Sequence, residues 1–210
     1  MYRLFIKRFL DLIIGLLAFP FFLLALLIFG PIIIATDQGP VFYNAKRTGK
    51  NGKLFKMYKF RSMYVNAPDI RNADGSTYNS KDDARVTPIG RFMRSTSIDE
   101  LPQIINIING TMSLIGPRPD PPDDMYIYTE EQKEKLKVRP GLTGYNQAYF
   151  RNSVEQNIKF EHDLFYAKNI SFLLDLKIFV RSIFMVLSHK NVYNDVSKPN
   201  DGNDNLDKSC

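Results

Sequence analysis

A 24-residue apolar segment sets the strongest constraint on how this chain can fold. Between Leu12 and Ala35 there is no charged residue, and only two glycines and two prolines interrupt the apolar pattern. A straight helix of this length measures about 36 Å and could cross a hydrocarbon core of about 30 Å. Helices in a soluble core seldom stay apolar on every face over such a length. The segment therefore predicts a membrane-embedded element.

Flanking charges and a central proline bear on the topology of this segment. Basic residues keep the loops in which they occur on the cytoplasmic side of a membrane. Here basic residues flank the segment on both sides: Arg3, Lys7 and Arg8 precede it, and Lys46, Arg47, Lys50 and Lys53 follow it. Pro20 lacks a backbone donor and clashes with the preceding helical turn, so we predict a break near it. These features favour a re-entrant helix-break-helix hairpin that enters and leaves one leaflet. A single crossing is the alternative.

The rest of the composition is that of one globular domain with an excess of positive charge. The 210 residues carry a formal net charge of +6. This balance favours an anionic partner, whether nucleic acid, a phospholipid headgroup or a phosphorylated substrate. Cys210 is the sole cysteine, which excludes an intrachain disulfide and a thiolate metal site.

Strand and helix signals follow the apolar segment in a mixed order. Two strand-like runs flank Asn51-Gly52, the dipeptide most typical of a β-hairpin. Ser97 opens a short apolar helix, and further helices are predicted over 130–138, 154–168 and 172–187. The helix at 172–187 combines aromatic, aliphatic and basic residues, which suits either a membrane surface or a core.

Asp99 and Glu100 are the residues best suited to chemistry. Adjacent carboxylates at a predicted helix start can simply cap it, with Ser97 and Glu100 forming a capping box. Arg94 and Arg118 in the neighbouring sequence point instead to phosphate handling. Arginine binds phosphoryl oxygens bidentately, and a carboxylate can attack phosphorus or bind Mg²⁺. The residues alone leave both interpretations open.

A second group of cations lies in the predicted hairpin. Lys56, Lys59 and Arg61 are spaced along a strand so that they cannot all point into a core. One face of the hairpin must therefore be cationic, either as a solvated edge that deters aggregation or as part of an anion site.

Six short motifs occur in a fixed order along the chain. They are KRFLD at 7–11, GPVF at 39–42, YKFRSM at 58–63, SIDELPQ at 97–103, MSLIGPRP at 112–119 and VRPGLTG at 138–144. In this combination the chain resembles the bacterial sugar transferase family, the small monotopic polyprenyl-phosphate phosphoglycosyl transferases. The resemblance extends from residue 7 to about residue 189.

The resemblance implies a specific reaction and assigns residues to it. A sugar 1-phosphate moves from a UDP-sugar to polyprenyl (undecaprenyl) phosphate through a covalent aspartyl-phosphosugar, releasing UMP and initiating a capsule, exopolysaccharide or glycoprotein glycan. Asp99 is then the nucleophile, and Asp99 with Glu100 holds Mg²⁺. The implied substrate- and phosphate-binding residues are Lys59, Arg61, Arg94, Arg118, Arg139 and Gln147.

The same resemblance implies partners and a location. The partners are the UDP-sugar donor, the polyprenyl phosphate acceptor and membrane lipid, together with downstream glycosyltransferases and without nucleic acid. The location is the cytoplasmic face of the bacterial inner membrane, with the protein monotopic.

We therefore predict an α+β fold that is mainly helical. It comprises the N-terminal re-entrant membrane hairpin with its break at Pro20, a small basic β-hairpin, catalytic helices and surface-lying amphipathic helices. The predicted organisation is a membrane anchor at 1–37, a cytosolic catalytic domain at 38–193 and a disordered tail at 194–210.

A different class of function also fits the composition. A membrane-tethered basic module could bind nucleic acid or anionic lipid through the hairpin. Such a module would show steep salt dependence and would be indifferent to Asp99→Asn, whereas a transferase would not.

Overall fold

A computed structural model describes residues 1–72, 78–150 and 154–187 and confirms an α+β chain with a long apolar N-terminal helix and small sheets. In chain order the elements are α1 (Lys7–Asp37), β1 (Phe42–Thr48), β2 (Leu54–Phe60), α2 (Pro88–Thr96), α3 (Gln103–Ile108), β3 (Ser113–Ile115), β4 (Gly141–Thr143), α4 (Tyr145–Tyr149), α5 (Gln156–Lys168) and α6 (Phe172–Leu187). A π-helical turn covers Tyr2–Ile6, and 3-10 turns cover Lys50–Gly52, Ile98–Glu100, Pro122–Tyr126 and Gln132–Lys137. The tail predicted at 194–210 lies outside the described residues, and the division into three parts stays a prediction.

Helix α1 contains the whole apolar segment and continues through Pro20 and Pro31. This differs from the predicted helix-break-helix hairpin, because the chain does not leave the helical conformation at Pro20. A proline removes one helical hydrogen bond. Packing of the helix against the body on both sides of Pro20, at Gly15 and at Phe22, opposes a break there. In the described part of the chain, α1 is the one helix long and apolar enough to cross a membrane.

One stripe of α1 packs against the body along the length of the helix. Near its N-terminal end, the Asp11 carboxylate accepts hydrogen bonds from the Leu114 backbone N–H (2.9 Å) and the Ser113 hydroxyl (3.1 Å). The buried positions of the stripe are Asp11, Gly15, Phe22, Ala25, Gly30 and Ile33. The opposite face is apolar and exposed, with Leu17 and Leu27 about seven-tenths accessible. The helix is therefore attached to the body on one side only.

Arg61 fastens the C-terminal end of α1 to the end of β2. Its guanidinium forms a 2.6 Å ion pair with Asp37 and donates to the carbonyls of Pro40 (2.6 Å) and Ile33 (3.3 Å). The Asp37 carboxylate also accepts from the Val65 backbone N–H at 2.8 Å. Both ends of α1 are thus bound to the same body.

The predicted basic β-hairpin is confirmed. β1 and β2 are antiparallel, with a register that runs from Phe42↔Phe60 to Thr48↔Leu54. Asn51 and Gly52 adopt φ values of 57° and 72°, the left-handed conformation that an Asn-Gly turn requires.

Two of the predicted helices are confirmed, and two differ from the prediction. α6 has the predicted bounds, and α5 begins two residues later than predicted. The segment at 130–138 forms a 3-10 turn instead of an α-helix, although Thr129 and Gln132 make both hydrogen bonds of a capping box, at 3.0 and 3.1 Å. The helix predicted from Ser97 is divided, because Pro102 supplies no backbone donor and α3 begins after it.

The contact between Arg61 and Asp37 yields a test of how α1 is held. We expect Asp37→Asn to lower the free energy of unfolding by roughly 1–3 kcal/mol, because it leaves the buried guanidinium of Arg61 without its counter-charge. Denaturant titration of the protein in detergent measures this. Asp69→Asn, which removes the carboxylate of an exposed ion pair with Arg71, is the matched control and should change the value by under about 1 kcal/mol. Equal effects of the two variants would contradict the role assigned to Arg61.

Candidate active site

Asp99 and Glu100 lie in the 3-10 turn Ile98–Glu100, which connects α2 to α3. The turn begins after Ser97, whose φ is 60°. The two apolar residues that bracket the carboxylates, Ile98 and Leu101, pack against the hydrophobic core that also contains Phe22 of α1. Core packing on both sides therefore fixes the position of the carboxylate dyad formed by Asp99 and Glu100.

Lys59 of β2 pairs with both members of the dyad. Its Nζ lies 2.7 Å from Glu100 Oε1 and 3.6 Å from Asp99 Oδ2. Asp99 is only 6% exposed, whereas Glu100 is half-buried. A lysine is thus the nearest counter-charge to a buried carboxylate.

Asn106 sets the position of Lys59 relative to the dyad. From α3, its side chain accepts a hydrogen bond from the Tyr58 backbone N–H (3.0 Å) and donates one to the Lys56 carbonyl (2.7 Å). These bonds join α3 to β2 directly beside Lys59. Asn106 is a positioning residue that the sequence interpretation missed, although a polar residue within the apolar run IINII was a usable signal.

Arg94 brings a second cation to the dyad. Its Nε donates to the Ser62 hydroxyl at 2.9 Å, and Nη1 lies 3.4 Å from Asn79 Oδ1. Its charge acts on Asp99 and lowers the pKa of that carboxyl. Lys59 and Arg94 therefore place two cations around the dyad.

Burial nevertheless raises the pKa of Asp99 above the ordinary aspartate value. The neighbouring Glu100 raises it further, while Lys59 and Arg94 lower it without cancelling the effect of burial. The capping box predicted for Ser97 and Glu100 is not formed, because Ser97 makes no side-chain capping bond to this turn and α3 begins only at Gln103. Burial thus penalises the ionised form of Asp99, and a further cation bound beside the carboxylate would offset that penalty.

The carboxylates of Asp99 and Glu100 could supply part of the oxygen ligands of a Mg²⁺ ion. This ion prefers oxygen ligands and is commonly held by one or two carboxylates together with substrate phosphates. Asp99 and Glu100 supply the carboxylates. No group of three or more His, Cys, Asp or Glu side chains suited to a metal occurs in the residues described. Substrate oxygens would have to complete the coordination.

The structure places four other predicted site residues apart from these contacts. Arg61 binds the end of α1, and Arg139 Nε donates to the Gly110 carbonyl (2.9 Å) beyond the far end of α3. Arg118 is exposed in the loop after β3, and Gln147 Oε1 on α4 is buried without a hydrogen-bond partner among the described residues. Their roles in substrate binding stay predictions.

A buried lysine supports the loop that carries Arg118. Lys135 forms ion pairs with Asp120 and Asp163, and Tyr128 donates its hydroxyl hydrogen to Asp120 at 2.6 Å. Asp163 in turn accepts a hydrogen bond from the backbone N–H of Arg118 at 3.3 Å. No local pattern predicted this network, because Lys135 lies in a charged run that is typical of a solvated surface.

The raised pKa of Asp99 predicts how stability responds to its replacement. The folded protein holds this proton to higher pH than the unfolded chain, so ionised Asp99 reduces stability above its folded pKa and not below the unfolded value of about 3.9. We expect Asp99→Asn to raise the thermal midpoint by about 2–4 °C at pH 7.5, with a smaller difference near pH 4. Differential scanning fluorimetry in detergent measures both.

Asp82→Asn, which alters an exposed carboxylate, is the control for that measurement and should show no such pH-dependent gain. A lower midpoint for Asp99→Asn at pH 7.5 would contradict the account, because a capping carboxylate would stabilise the fold there.

Comparison with known proteins places this chain in a family. The model of the family described as bacterial sugar transferase matches residues 2–189. The sugar transferase EpsL of Bacillus subtilis is 44% identical over 148 residues, covering 70% of both chains, and the exopolysaccharide production protein ExoY of Sinorhizobium fredii is 37% identical over 202 residues, covering 89% of this chain and 88% of its own. The undecaprenyl-phosphate galactose phosphotransferase of Salmonella typhimurium is 34% identical over 206 residues.

The extent of these matches differs between relatives. The match to the Salmonella protein covers 90% of this chain but 42% of the longer relative, and a Haemophilus influenzae sugar transferase is matched over the same share of its length. ExoY and EpsL are matched over most of their lengths. The family match covers α1, the turn that carries Asp99 and Glu100, and α6 alike, and the chain belongs to the bacterial sugar transferase family.

Proposed function

We propose that this protein is a phosphoglycosyl transferase that moves a sugar 1-phosphate from a UDP-sugar to undecaprenyl phosphate. The observation that carries the proposal is the buried Asp99 carboxylate beside Glu100, with Lys59 and Arg94 around it. The relative from Salmonella is named as an undecaprenyl-phosphate galactose phosphotransferase, and one from Aeromonas hydrophila as the corresponding N-acetylgalactosamine enzyme. These names support the same reaction class in capsule, exopolysaccharide or other glycan synthesis.

In the first step a carboxylate oxygen of Asp99 attacks the phosphorus that carries the sugar. The bond from that phosphorus to the bridging oxygen of the pyrophosphate breaks, and UMP leaves with the bridging oxygen and its electron pair. The product is a mixed anhydride between Asp99 and the sugar phosphate. An ionised carboxylate is required for attack, so the cations at Lys59 and Arg94 also keep the nucleophile available.

In the second step the phosphate of the lipid acceptor replaces Asp99. One of its oxygens attacks the same phosphorus, the bond to the Asp99 oxygen breaks, and the carboxylate is restored. The product is a polyprenyl diphosphate sugar. Lys59 lies where it can balance charge in both steps, because its Nζ contacts both carboxylates.

Asp99 and Glu100 are the residues that would hold Mg²⁺ in this site. When bound, the ion would offset the repulsion between the attacking carboxylate and the donor pyrophosphate. Glu100 is the more exposed of the two carboxylates and has Lys59 at 2.7 Å, so it can exchange its lysine partner for another cation.

We also propose that the protein is monotopic on the cytoplasmic face of the inner membrane. α1 has 31 residues and measures about 46 Å, yet the body holds it near both ends, at Asp11 and at Asp37. A helix crossing a bilayer would carry one of these ends to the opposite side. The exposed apolar side chains of α1 and of α6 would instead contact the same leaflet. Such a placement would hold the Asp99 site close to the headgroup level, where the acceptor phosphate lies.

Replacement of the nucleophile tests the reaction. We expect Asp99→Asn to reduce UMP release by about 10³-fold or more, because the amide cannot form the mixed anhydride with the sugar phosphate. The assay contains a panel of UDP-sugars, undecaprenyl phosphate and Mg²⁺, and Asp82→Asn is the matched surface control. Full activity of Asp99→Asn would contradict the proposal and would favour a membrane-tethered basic binding module.

Cysteine labelling tests the topology. In a Cys210→Ser background, we expect Arg3→Cys and Lys50→Cys to stay unlabelled by an impermeant maleimide in intact cells and to react in permeabilised cells. Both positions are exposed and flank α1. Labelling of Arg3→Cys in intact cells, with Lys50→Cys protected, would establish a single crossing and contradict the monotopic placement.

A further inference from the structure

A groove on the surface of the protein lies between α4 and α6. Its apolar wall includes Leu176, Val180 and Phe184, whose side chains are 46%, 44% and 67% exposed. Two exposed cations, Lys177 and Arg181, line the same groove. These cations are four residues apart on α6, so they are neighbours on the surface of the helix. The groove therefore combines an exposed apolar wall with two adjacent positive charges.

The two cations have no acidic partner in the part of the chain that the structure describes. The guanidinium of Arg181 lies over the ring of Tyr149, 4.3 Å from the ring centre, and Lys177 forms no ion pair with a described residue. Asp175, the one acidic residue of α6, is buried and pairs with Lys7 at 2.7 Å. The positive charge of the groove is therefore available to an anion.

Contacts at the start of α6 place the groove near the basic end of α1. Tyr2, just before α1, donates to Asp175 at 2.5 Å, and its ring meets the ring of Phe172 edge-on at 5.8 Å. The neighbouring Arg3 and Phe5 are both exposed. A charged residue at the end of a membrane helix lies at the level of the headgroups, because burial in hydrocarbon is costly. The beginning of α6 is thus held at the end of α1 that adjoins the headgroups.

We propose that this groove binds an anionic phospholipid of the bilayer, with Lys177 and Arg181 contacting the headgroup phosphate and the apolar wall contacting the acyl chains. This inference rests on the proposed monotopic placement. A soluble anion would gain nothing from the exposed apolar wall, which favours a lipid as the occupant. The groove is formed by α4 and α6, whereas the lysine beside Asp99 comes from β2, which favours a bilayer phospholipid over the lipid acceptor.

Fluorescence quenching tests the site without turnover, because the chain contains no tryptophan. Phe184→Trp introduces a single reporter at the groove, and the protein is reconstituted into phosphatidylcholine nanodiscs that contain brominated phosphatidylglycerol or brominated phosphatidylcholine. We expect the anionic lipid to quench this tryptophan with an apparent affinity about fivefold or more above that of the zwitterionic lipid, and salt to reduce the difference. Phe21→Trp, on the exposed uncharged part of α1, is the reference reporter and should show less than about twofold preference.

Removal of single charges from the reporter protein tests the two cations. We expect Lys177→Gln and Arg181→Gln each to lower the preference for anionic lipid by about twofold or more, and the double variant to abolish it. Arg181→Lys keeps the charge and should retain the preference. Lys53→Gln, which removes an exposed cation at the turn between β1 and β2, is the matched control and should leave the preference unchanged. A thermal midpoint equal to that of the unsubstituted protein shows that each variant is folded.

Three results would overturn the site. They are equal quenching of Phe184→Trp by the two brominated lipids, quenching of Phe21→Trp alone, and a preference that survives the double variant. Displacement of the brominated anionic lipid by substoichiometric undecaprenyl phosphate would overturn the assignment to a phospholipid and would favour the acceptor.

The quenching measurement is independent of the transferase reaction. A clear preference for anionic lipid in a protein that releases no UMP from any donor would refute the reaction and leave the site intact. Absence of the preference in a protein that transfers sugar phosphate to the acceptor would refute the site and leave the reaction intact.

Discussion

The packing of α1 against the body is the constraint on which the rest of the structure depends. Phe22, Ala25 and Ile33 of this helix belong to one hydrophobic core with residues of β2, α2 and α3. A fully buried phenylalanine contributes about 1.5–3 kcal/mol. Because Ile98 and Leu101 pack on the same core, the turn that carries Asp99 and Glu100 is held at a fixed place relative to α1. An enzyme with one soluble substrate and one lipid substrate needs such a fixed relation, since proximity supplies part of its rate.

The same core supports a pair of adjacent carboxylates whose burial is energetically unfavourable. Asp99 is buried next to a second carboxylate, and burial raises its pKa in spite of Lys59 and Arg94. A fold selected only for stability would not keep two carboxylates there. The bonds from Asn106 to β2 and the ion pair of Arg61 with Asp37 hold the surrounding strands in place against this cost. The resulting carboxylate is buried and has cations nearby, an arrangement that suits a nucleophile in phosphoryl transfer.

Local signals in the sequence predicted those parts of the fold that depend on neighbouring residues. The Asn51-Gly52 hairpin and the bounds of α6 follow from turn chemistry and helical periodicity. The continuous course of α1 through Pro20 did not, because it depends on packing against elements distant in the sequence. The short parallel pair of β3 and β4 was missed for the same reason.

In the candidate site, too, sequence motifs predicted some residues, whereas others depend on tertiary contacts. The carboxylates and cations of the motifs were recognised from sequence, and the structure brings Lys59 and Arg94 to Asp99. The contacts that position them, from Asn106 and Ser62, depend on tertiary structure and were not predicted. The buried Lys135 was missed because its two carboxylate partners lie 15 and 28 residues away.

The central claim is that the carboxylate of Asp99 forms a mixed anhydride with the sugar phosphate of the donor. Peptide mass spectrometry after incubation with UDP-sugars and Mg²⁺, without any acceptor, measures this directly. The account predicts a phosphosugar adduct on the peptide that contains Asp99, formed with one UMP per adduct and lost when undecaprenyl phosphate is added. An unmodified Asp99 in a preparation that transfers sugar phosphate to the lipid, or an adduct on another residue, would contradict it.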